Sequence, residues 1–474
     1  MTESFQAEHG RAQETSRQRL SAATAVAIIV GIVVGAGIFK TPSMVAGVSG
    51  DAGWMMLAWI AGAVISVAGA LCYAELSSKH AHAGGDYHFL ELAYGRNLSF
   101  LYAWAKATVI NTGSIALLAF VFGDYMSKAI PLGSHSSALW AIGVVVMLTL
   151  INWLGIQASG RVQSVLTVIE VTGLIAVVFA GFSIHNPSTE TPAWFSSSPP
   201  LGLAGLALVF VLLTFGGWNE SAFISSEVKG GPRVMVWVIL LSLFLITLIY
   251  ILVNLALLNG LGLGGLAKSK AAAADVMQIA FGDIGQQALS LFVAIAALTS
   301  INATMIVGAR SNFALASSWK TLSSFSAWNE HTGTPIAAML LQSSIALALI
   351  VFGLFQHDGF EAMVEFTAPV FWSFLFLVGL SVFKLRHAEG AKARIATHTD
   401  ASLPIAKGNH PDQEAYRLPL YPITPLVFCA SCAYLSYSSL TYAASKDAVH
   451  ISLSVMGLGL LALLLLQWRE RSSN

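Results

Sequence analysis

The sequence predicts an all-α membrane protein with twelve transmembrane helices, the first and the sixth of them broken at mid-span. Three observations predict it. Of 474 residues, 56% are hydrophobic and only 10% charged, against about 25% charged in ordinary soluble domains. Apolar runs near the length of about 20 residues that crosses hydrocarbon recur along the chain. Glycines interrupt two of them, in Val34-Gly35-Ala36-Gly37-Ile38 and in Phe215-Gly216-Gly217-Trp218-Asn219.

The runs cover residues 21–48, 53–78, 96–124, 137–155, 160–184, 200–228, 233–258, 284–317, 335–355, 361–386, 422–444 and 448–467. Residues 1–20 form a polar tail with no cleavable signal pattern, so the first run is its own insertion signal. With that tail inside, 18 of the 24 Lys and Arg residues fall on the cytoplasmic side. Only Lys128, Lys268, Lys270 and Lys446 fall outside, while Lys40 and Lys106 lie within helices. This bias places both termini in the cytoplasm of an integral multi-pass protein, expected in a bacterial inner membrane.

From one glycine break to the next is roughly 180 positions and five runs. An odd number of spans inverts the second copy, which predicts a five-plus-five inverted repeat over 21–184 and 200–386. A cytoplasmic linker, 387–421, rich in charge, His and Pro, then leads to two additional helices over 422–467. The net charge of zero gives no reason to expect nucleic-acid binding. Three cysteines make no disulfide framework, and Cys72, Cys429 and Cys432 read as packing residues. His80, His82 and His88 lack accompanying ligands at metal spacing, so no metal is expected.

Glycine weakens a helix by about 1 kcal/mol relative to Ala, and hydrocarbon offers no water to the backbone groups it frees. In the first run the outer half-helix is expected to restart near Ile38, its amides facing the gap. Unsatisfied amides at Gly35 and Gly37 suit an anion, and no side chain obstructs its approach. In the sixth run the half ending at Leu213-Thr214-Phe215 presents carbonyls that suit an ammonium. Together the breaks would hold an α-amino acid by its two charged ends at mid-membrane. Packing notches between helices are the alternative use of such glycines.

Ionisable groups at mid-helix are costly and usually functional. Glu170 lies ten residues into the fifth run, about 15 Å along a helix axis. It reads either as a carboxyl that loads and releases a proton, or as a carboxylate paired with Lys106 or with sodium beside Thr299 and Ser300. Glu220 is a second candidate, and Lys40 is expected to snorkel outward. Glu361 and Glu365 read as solvated helix ends. Glu75, Arg161, Glu227, Lys229, Arg233 and Arg310 end helices at one depth, where ion pairs would form an inner gate or merely anchor the interface.

These residues, taken in order, resemble the amino acid–polyamine–organocation superfamily with its leucine-transporter-like fold, and its L-type amino-acid transporter branch in particular. The resemblance runs over residues 21–386. It rests on Gly35-Ala36-Gly37-Ile38-Phe39; Tyr73-Ala74-Glu75-Leu76 with Gly84-Gly85-Asp86-Tyr87 and Ala93-Tyr94-Gly95; Gly216-Gly217-Trp218-Asn219 with Glu227 and Pro232-Arg233; and Ser300-Ile301-Asn302-Ala303-Thr304 with Arg310. It implies Gly35, Ala36 and Gly37 at a substrate carboxylate, and Phe215, Gly216 and Gly217 at its ammonium. Trp218 and Asn219 would brace the break, and Asn111 would face the substrate side chain. Leu213 stands where the branch carries an aromatic gate, and Glu170 where many relatives carry a lysine.

The expectation is a secondary permease or antiporter of amino acids, neutral ones preferred, and not an enzyme. It needs no cofactor, with coupling to H+ or Na+ open. Its partners are a small-molecule amino acid and the lipid bilayer, as a monomer or homodimer with no accessory subunit indicated. A polyamine, cationic amino-acid or organocation transporter, and a gated channel, are the alternatives.

Overall fold

A computed structural model describes residues 21–80, 85–154, 160–184, 194–197, 201–220, 228, 231–317, 327, 329, 335–399, 416–444 and 448–472. Nine helices among them are long and apolar enough to cross a membrane. In the other three predicted runs stand shorter apolar helices, Ala22–Val33, Val168–Ser183 and Leu203–Thr214.

The first run is three pieces. Helix α1 (Ala22–Val33) starts under the Ser21 hydroxyl, which accepts from the Thr24 amide. The helix ends at Val34, a tight 3-10 turn covers Ala36–Phe39, and α2 (Thr41–Ser49) follows. The α-helical restart therefore falls at Thr41, later than the expected Ile38. Pro42 fits the first turn of α2, where a missing N–H costs nothing. Asp51 caps α3 (Ala52–Lys79) by accepting from the Gly53 amide.

Helices α4 (Asp86–Tyr94) and α5 (Arg96–Ala105) come next. A π turn over Lys106–Ile110 leads into α6 (Asn111–Ala129), so the third span runs past its predicted end at 124. Then come α7 (Ser136–Trp153), α8 (Gly160–Ser183) and α9 (Leu201–Thr214), the last followed by a 3-10 turn at Trp218–Glu220. Helices α10 (Gly231–Lys268) and α11 (Ala272–Ser317) each bend at a glycine, Gly262 and Gly282. Helix α12 (Ile336–Leu354) precedes α13 (Gly359–Thr399). Helices α14 (Ile423–Ala444) and α15 (Ala448–Ser472) close the chain.

Helix α13 corrects one expectation, because it continues through the first part of the predicted linker. The sequence explains this: Ala388-Glu389-Gly390-Ala391-Lys392-Ala393-Arg394 is mostly strong helix formers. Helix α6 packs along α7 and α11, α8 lies between α10 and α11, and α14 lies along α13. The pieces of the broken first run sit inside this arrangement, with α1 and α2 against α10 and α2 also against α9.

One carboxylate fastens the segment before α9 to the α2–α3 corner. Asp51, fully buried, accepts from the amides of Gly53, Phe195, Ser196 and Ser197 and from the Ser196 hydroxyl. Trp54 adds an indole N–H bond to the Ser197 carbonyl and an edge contact with Phe195. Burial alone would raise the Asp51 pKa, but these N–H donors outweigh it and hold the carboxyl below the usual range. A depressed folded pKa contributes stability that is present above the unfolded value of about 4 and lost as pH falls below it. The expected outcome is that Phe195 and Ser196 amides exchange at least about tenfold faster in Asp51→Ala than in the parent protein at neutral pH. Hydrogen exchange by mass spectrometry checks this, and acidifying the parent below about pH 4 narrows the gap.

Candidate functional site

The two glycine breaks touch. A side chain placed on Gly37 would lie 3.8 Å from Thr214 at the end of α9, and one on Gly35 would lie 3.5 Å from the Ser300 hydroxyl of α11. Gly217 has φ of +104°, and a Cβ there would stand 3.0 Å from Ile32 of α1. Glycine is required at that crossing, by conformation and by space. The Thr214 and Thr41 hydroxyls join across the gap at 2.6 Å.

Breaking two helices leaves backbone groups to satisfy. The Tyr250 hydroxyl of α10 lies 3.0 Å from the Val33 carbonyl and 3.2 Å from the Thr214 carbonyl, the last residues of α1 and α9. Its single proton serves both ends. The fully buried ring of Tyr250 packs against Trp59 and Phe215, with ring centroids 5.6 and 5.1 Å away. The Phe215 side chain thus belongs to this aromatic cluster, and only its backbone borders the break. The amides of Gly35, Ala36 and Gly37 have no hydrogen-bond acceptor among the described residues. Three such donors side by side suit a carboxylate. Val34, Ala36 and Ile38 are buried around them.

The other residues singled out by sequence are placed as follows. Trp218 is buried, edge-on to Tyr73 at 5.3 Å and to Phe428 at 6.0 Å. Asn219 borders a small cleft with Gly216, Phe371 and Trp372. The Leu213 carbonyl accepts from the Gly216 amide at 3.1 Å, closing the turn after α9. Buried Glu170 accepts from the Thr299 hydroxyl at 3.2 Å, one residue from the Ser300 that borders Gly35.

Lys106 forms no ion pair with Glu170, so that pairing is corrected; it opens the π turn of the third span. The buried Asn111 amide nitrogen lies beside Gly308, next to Gln342 of α12. Glu220 ends the 3-10 turn, but its side chain and that of Arg161 lie outside the described residues, as does Glu227.

Charges at the two ends of the bundle differ from expectation. Lys40 does not snorkel: it is fully buried, with its ammonium 2.8 Å from Asp124 and 3.1 Å from Asp358. The reason is that α2 packs inward, so no path to water is open to its side chain. Glu365 is buried and so is not a solvated end, while half-buried Glu361 accepts from the Tyr442 hydroxyl. At the opposite end Glu75 is bound by both Arg386 donors, by Lys79 at 3.1 Å and by the Leu418 amide at 2.9 Å. Its partner is Arg386, whereas Arg310 is exposed. Lys79 also reaches Glu389 at 2.8 Å. Glu389 stands on the part of α13 that the sequence assigned to a linker, which hid this network.

Tyr250 is the residue the sequence reading missed. A single tyrosine amid Ile246-Thr247-Leu248-Ile249 and Ile251-Leu252-Val253 was the available signal, since a buried phenol needs a hydrogen-bond partner.

Comparison with known proteins agrees with this geometry. Residues 20–463 match the family described as amino acid permease. The chain is 25% identical to the serine/threonine exchanger SteT of Bacillus subtilis (strain 168) over 92% of its own length and 94% of that protein. It is 26% identical to the b(0,+)-type amino acid transporter 1 of Rattus norvegicus, over 76% of the chain and 74% of the relative. Against the large neutral amino acids transporter small subunit 2 of Mus musculus the identity is 27%, covering 71% and 65%. These relatives are transporters, not enzymes, and this chain is a multi-pass membrane protein belonging to the amino acid permease family.

Proposed function

We propose that the chain is a secondary active transporter that exchanges α-amino acids, neutral ones preferred, by alternating access. The observation that carries this reading is the contact between two broken helices, with three neighbouring amides free at Gly35–Gly37. The substrate carboxylate lies on those amides, and its ammonium lies against backbone carbonyls at the end of α9. Side-chain contacts come from Ser300 and from the α6 face that carries Asn111. The similarity to an exchanger and to neutral amino-acid transporters by name supports the substrate class and the antiport mode.

The topology in this reading is twelve spans in two inverted repeats of five plus two appended helices, both termini cytoplasmic, in a bacterial inner membrane. Residues 1–20, 21–184, 200–386, 387–421 and 422–467 are its parts. Helices of one bundle rock against a scaffold, opening the outer half of helix 1 and then the inner. The Glu75–Arg386 cluster closes the inner side. Glu170, joined through Thr299 to the helix that touches Gly35, couples the cycle to H+ or Na+. Lys106 and Glu220 stand as secondary candidates for that coupling. The protein works as a monomer or homodimer, with no accessory subunit indicated by its sequence.

Uptake of labelled amino acids into proteoliposomes tests the function. Saturable uptake of neutral amino acids, accelerated by amino acid inside, is expected; single-channel conductance, or no uptake of any amino acid, overturns the reading. Replacing the carboxylate of a good substrate by an amide should lower its uptake by at least about tenfold, as a lost charge-assisted contact of about 1.5–3 kcal/mol requires. Tyr250→Phe keeps the aromatic contacts but strands two carbonyls, and transport should fall by about 10- to 100-fold for a loss of about 1–3 kcal/mol. In Glu170→Gln, accumulation driven by a proton or sodium gradient should vanish while exchange without a gradient persists. Unchanged gradient dependence would remove Glu170 from coupling.

A further inference from the structure

Lys40 stands at the junction between the 3-10 turn and α2, and its side chain is fully buried. Its ammonium donates to Asp124 of α6 at 2.8 Å and to Asp358, just ahead of α13, at 3.1 Å. Both carboxylates are held from behind. Asp124 accepts from the Ser137 hydroxyl at 2.7 Å, and Asp358 from the Glu361 amide at 3.1 Å. The Phe360 ring faces the ammonium at 5.9 Å. Beside it the Tyr125 hydroxyl of α6 donates to the Phe39 carbonyl at 2.8 Å.

One buried ammonium needs one carboxylate, and Asp124 alone supplies it. The second carboxylate, Asp358, lies within the field of another cation, Lys270, as well as that of Lys40, so neutralising Lys40 does not by itself require it. What Asp358 adds is a tie between α2 and the α12–α13 turn, two elements with no other polar link among the bonds of Lys40. Lys40 holds the Asp358 carboxyl below its ordinary pKa, against the opposing effect of burial, so the tie is ionic.

We propose that Lys40, Asp124 and Asp358 form a releasable latch that keeps the outer half of the broken first helix shut against α6 and the α12–α13 turn. The latch rests on the alternating-access reading, since only a helix that moves needs one. Opening the site on that side separates Lys40 from Asp358 and leaves Lys40 the option of keeping its ion pair with Asp124.

The test is accessibility of α2. Ser43 is buried and its hydroxyl is unpartnered, so Ser43→Cys introduces a reporter thiol at small cost. The native cysteines Cys72, Cys429 and Cys432 are buried. A membrane-impermeant maleimide is added from the face bearing Asp51, and the labelling rate is measured in reconstituted vesicles. Asp358→Asn leaves a one-to-one ion pair and should label about tenfold faster than the reporter protein. Lys40→Met should label at least as fast, and Lys40→Arg should restore slow labelling.

Labelling of Asp358→Asn at the reporter rate overturns the latch. Lys40→Met strands two carboxylates, so if it fails to fold, Asp358→Asn decides alone. No substrate enters this assay. Fast labelling with no amino-acid uptake by the parent would keep the latch and sink the transport reading, and the converse result would do the reverse.

Discussion

A peptide group inside hydrocarbon must find its partner within the protein, and the rest of this structure follows from that constraint. Breaking a membrane helix frees amides on one side of the gap and carbonyls on the other. Here two breaks are brought together, and the debts are settled unequally. The carbonyls at the ends of α1 and α9 share the Tyr250 hydroxyl, and the Thr41 and Thr214 hydroxyls pair with each other. The amides of Gly35, Ala36 and Gly37 keep no acceptor among the described residues. The amides left open at Gly35–Gly37 suit an anion, and the carbonyls, which share one hydroxyl and have two lone pairs each, can still accept from a cation.

The same constraint governs the buried charges, and each is handled differently. Lys40 is neutralised by two carboxylates, and Glu75 by Arg386, Lys79 and a backbone amide. Among the described residues Glu170 receives only a hydroxyl, from Thr299. A carboxyl with one neutral donor and no buried cation at hydrogen-bond distance lacks the compensation the other two enjoy. That difference sets Glu170 apart from the compensated charges of Lys40 and Glu75.

Much of the fold was legible because hydropathy and glycine are local signals. Nine apolar spans among the described residues and both glycine breaks overlap runs that the sequence marks, and Gly217 has the positive φ that a Gly-Gly pair invites. What the sequence could not reveal was pairing across distance. Lys40 reads as a snorkelling lysine until Asp124 and Asp358, 84 and 318 positions away, are seen beside it. Glu75 was visible as a helix-end carboxylate, but Arg386 lies 311 positions on. Lys106 and Glu170 are both mid-helix charges that sequence alone could pair, but Glu170 accepts from Thr299, and Lys106 opens the π turn at Lys106–Ile110. Tyr250 was hidden for the reverse reason, since a phenol in an apolar helix looks like core until its hydroxyl is traced.

The placement of the ion clusters constrains how such a molecule can move. Glu75 links α3, α13 and the segment before α14, none of which is a broken helix. Lys40 belongs to the broken one. A buried pair that loses one partner costs about 3–5 kcal/mol, while conformers that interconvert during a cycle differ by only a few kcal/mol. The Glu75 cluster, with three partners, therefore costs more to part than a single pair. Lys40 is different, because releasing Asp358 leaves it paired with Asp124. The piece of chain between Gly35 and Asp51 carries, among the described residues, amides without an acceptor at one end and is held by the Asp51 cap at the other. In the proposed cycle the amides offered to the anion and α2 belong to one stretch of chain, so occupancy of the amides and the position of α2 would be coupled by covalent continuity.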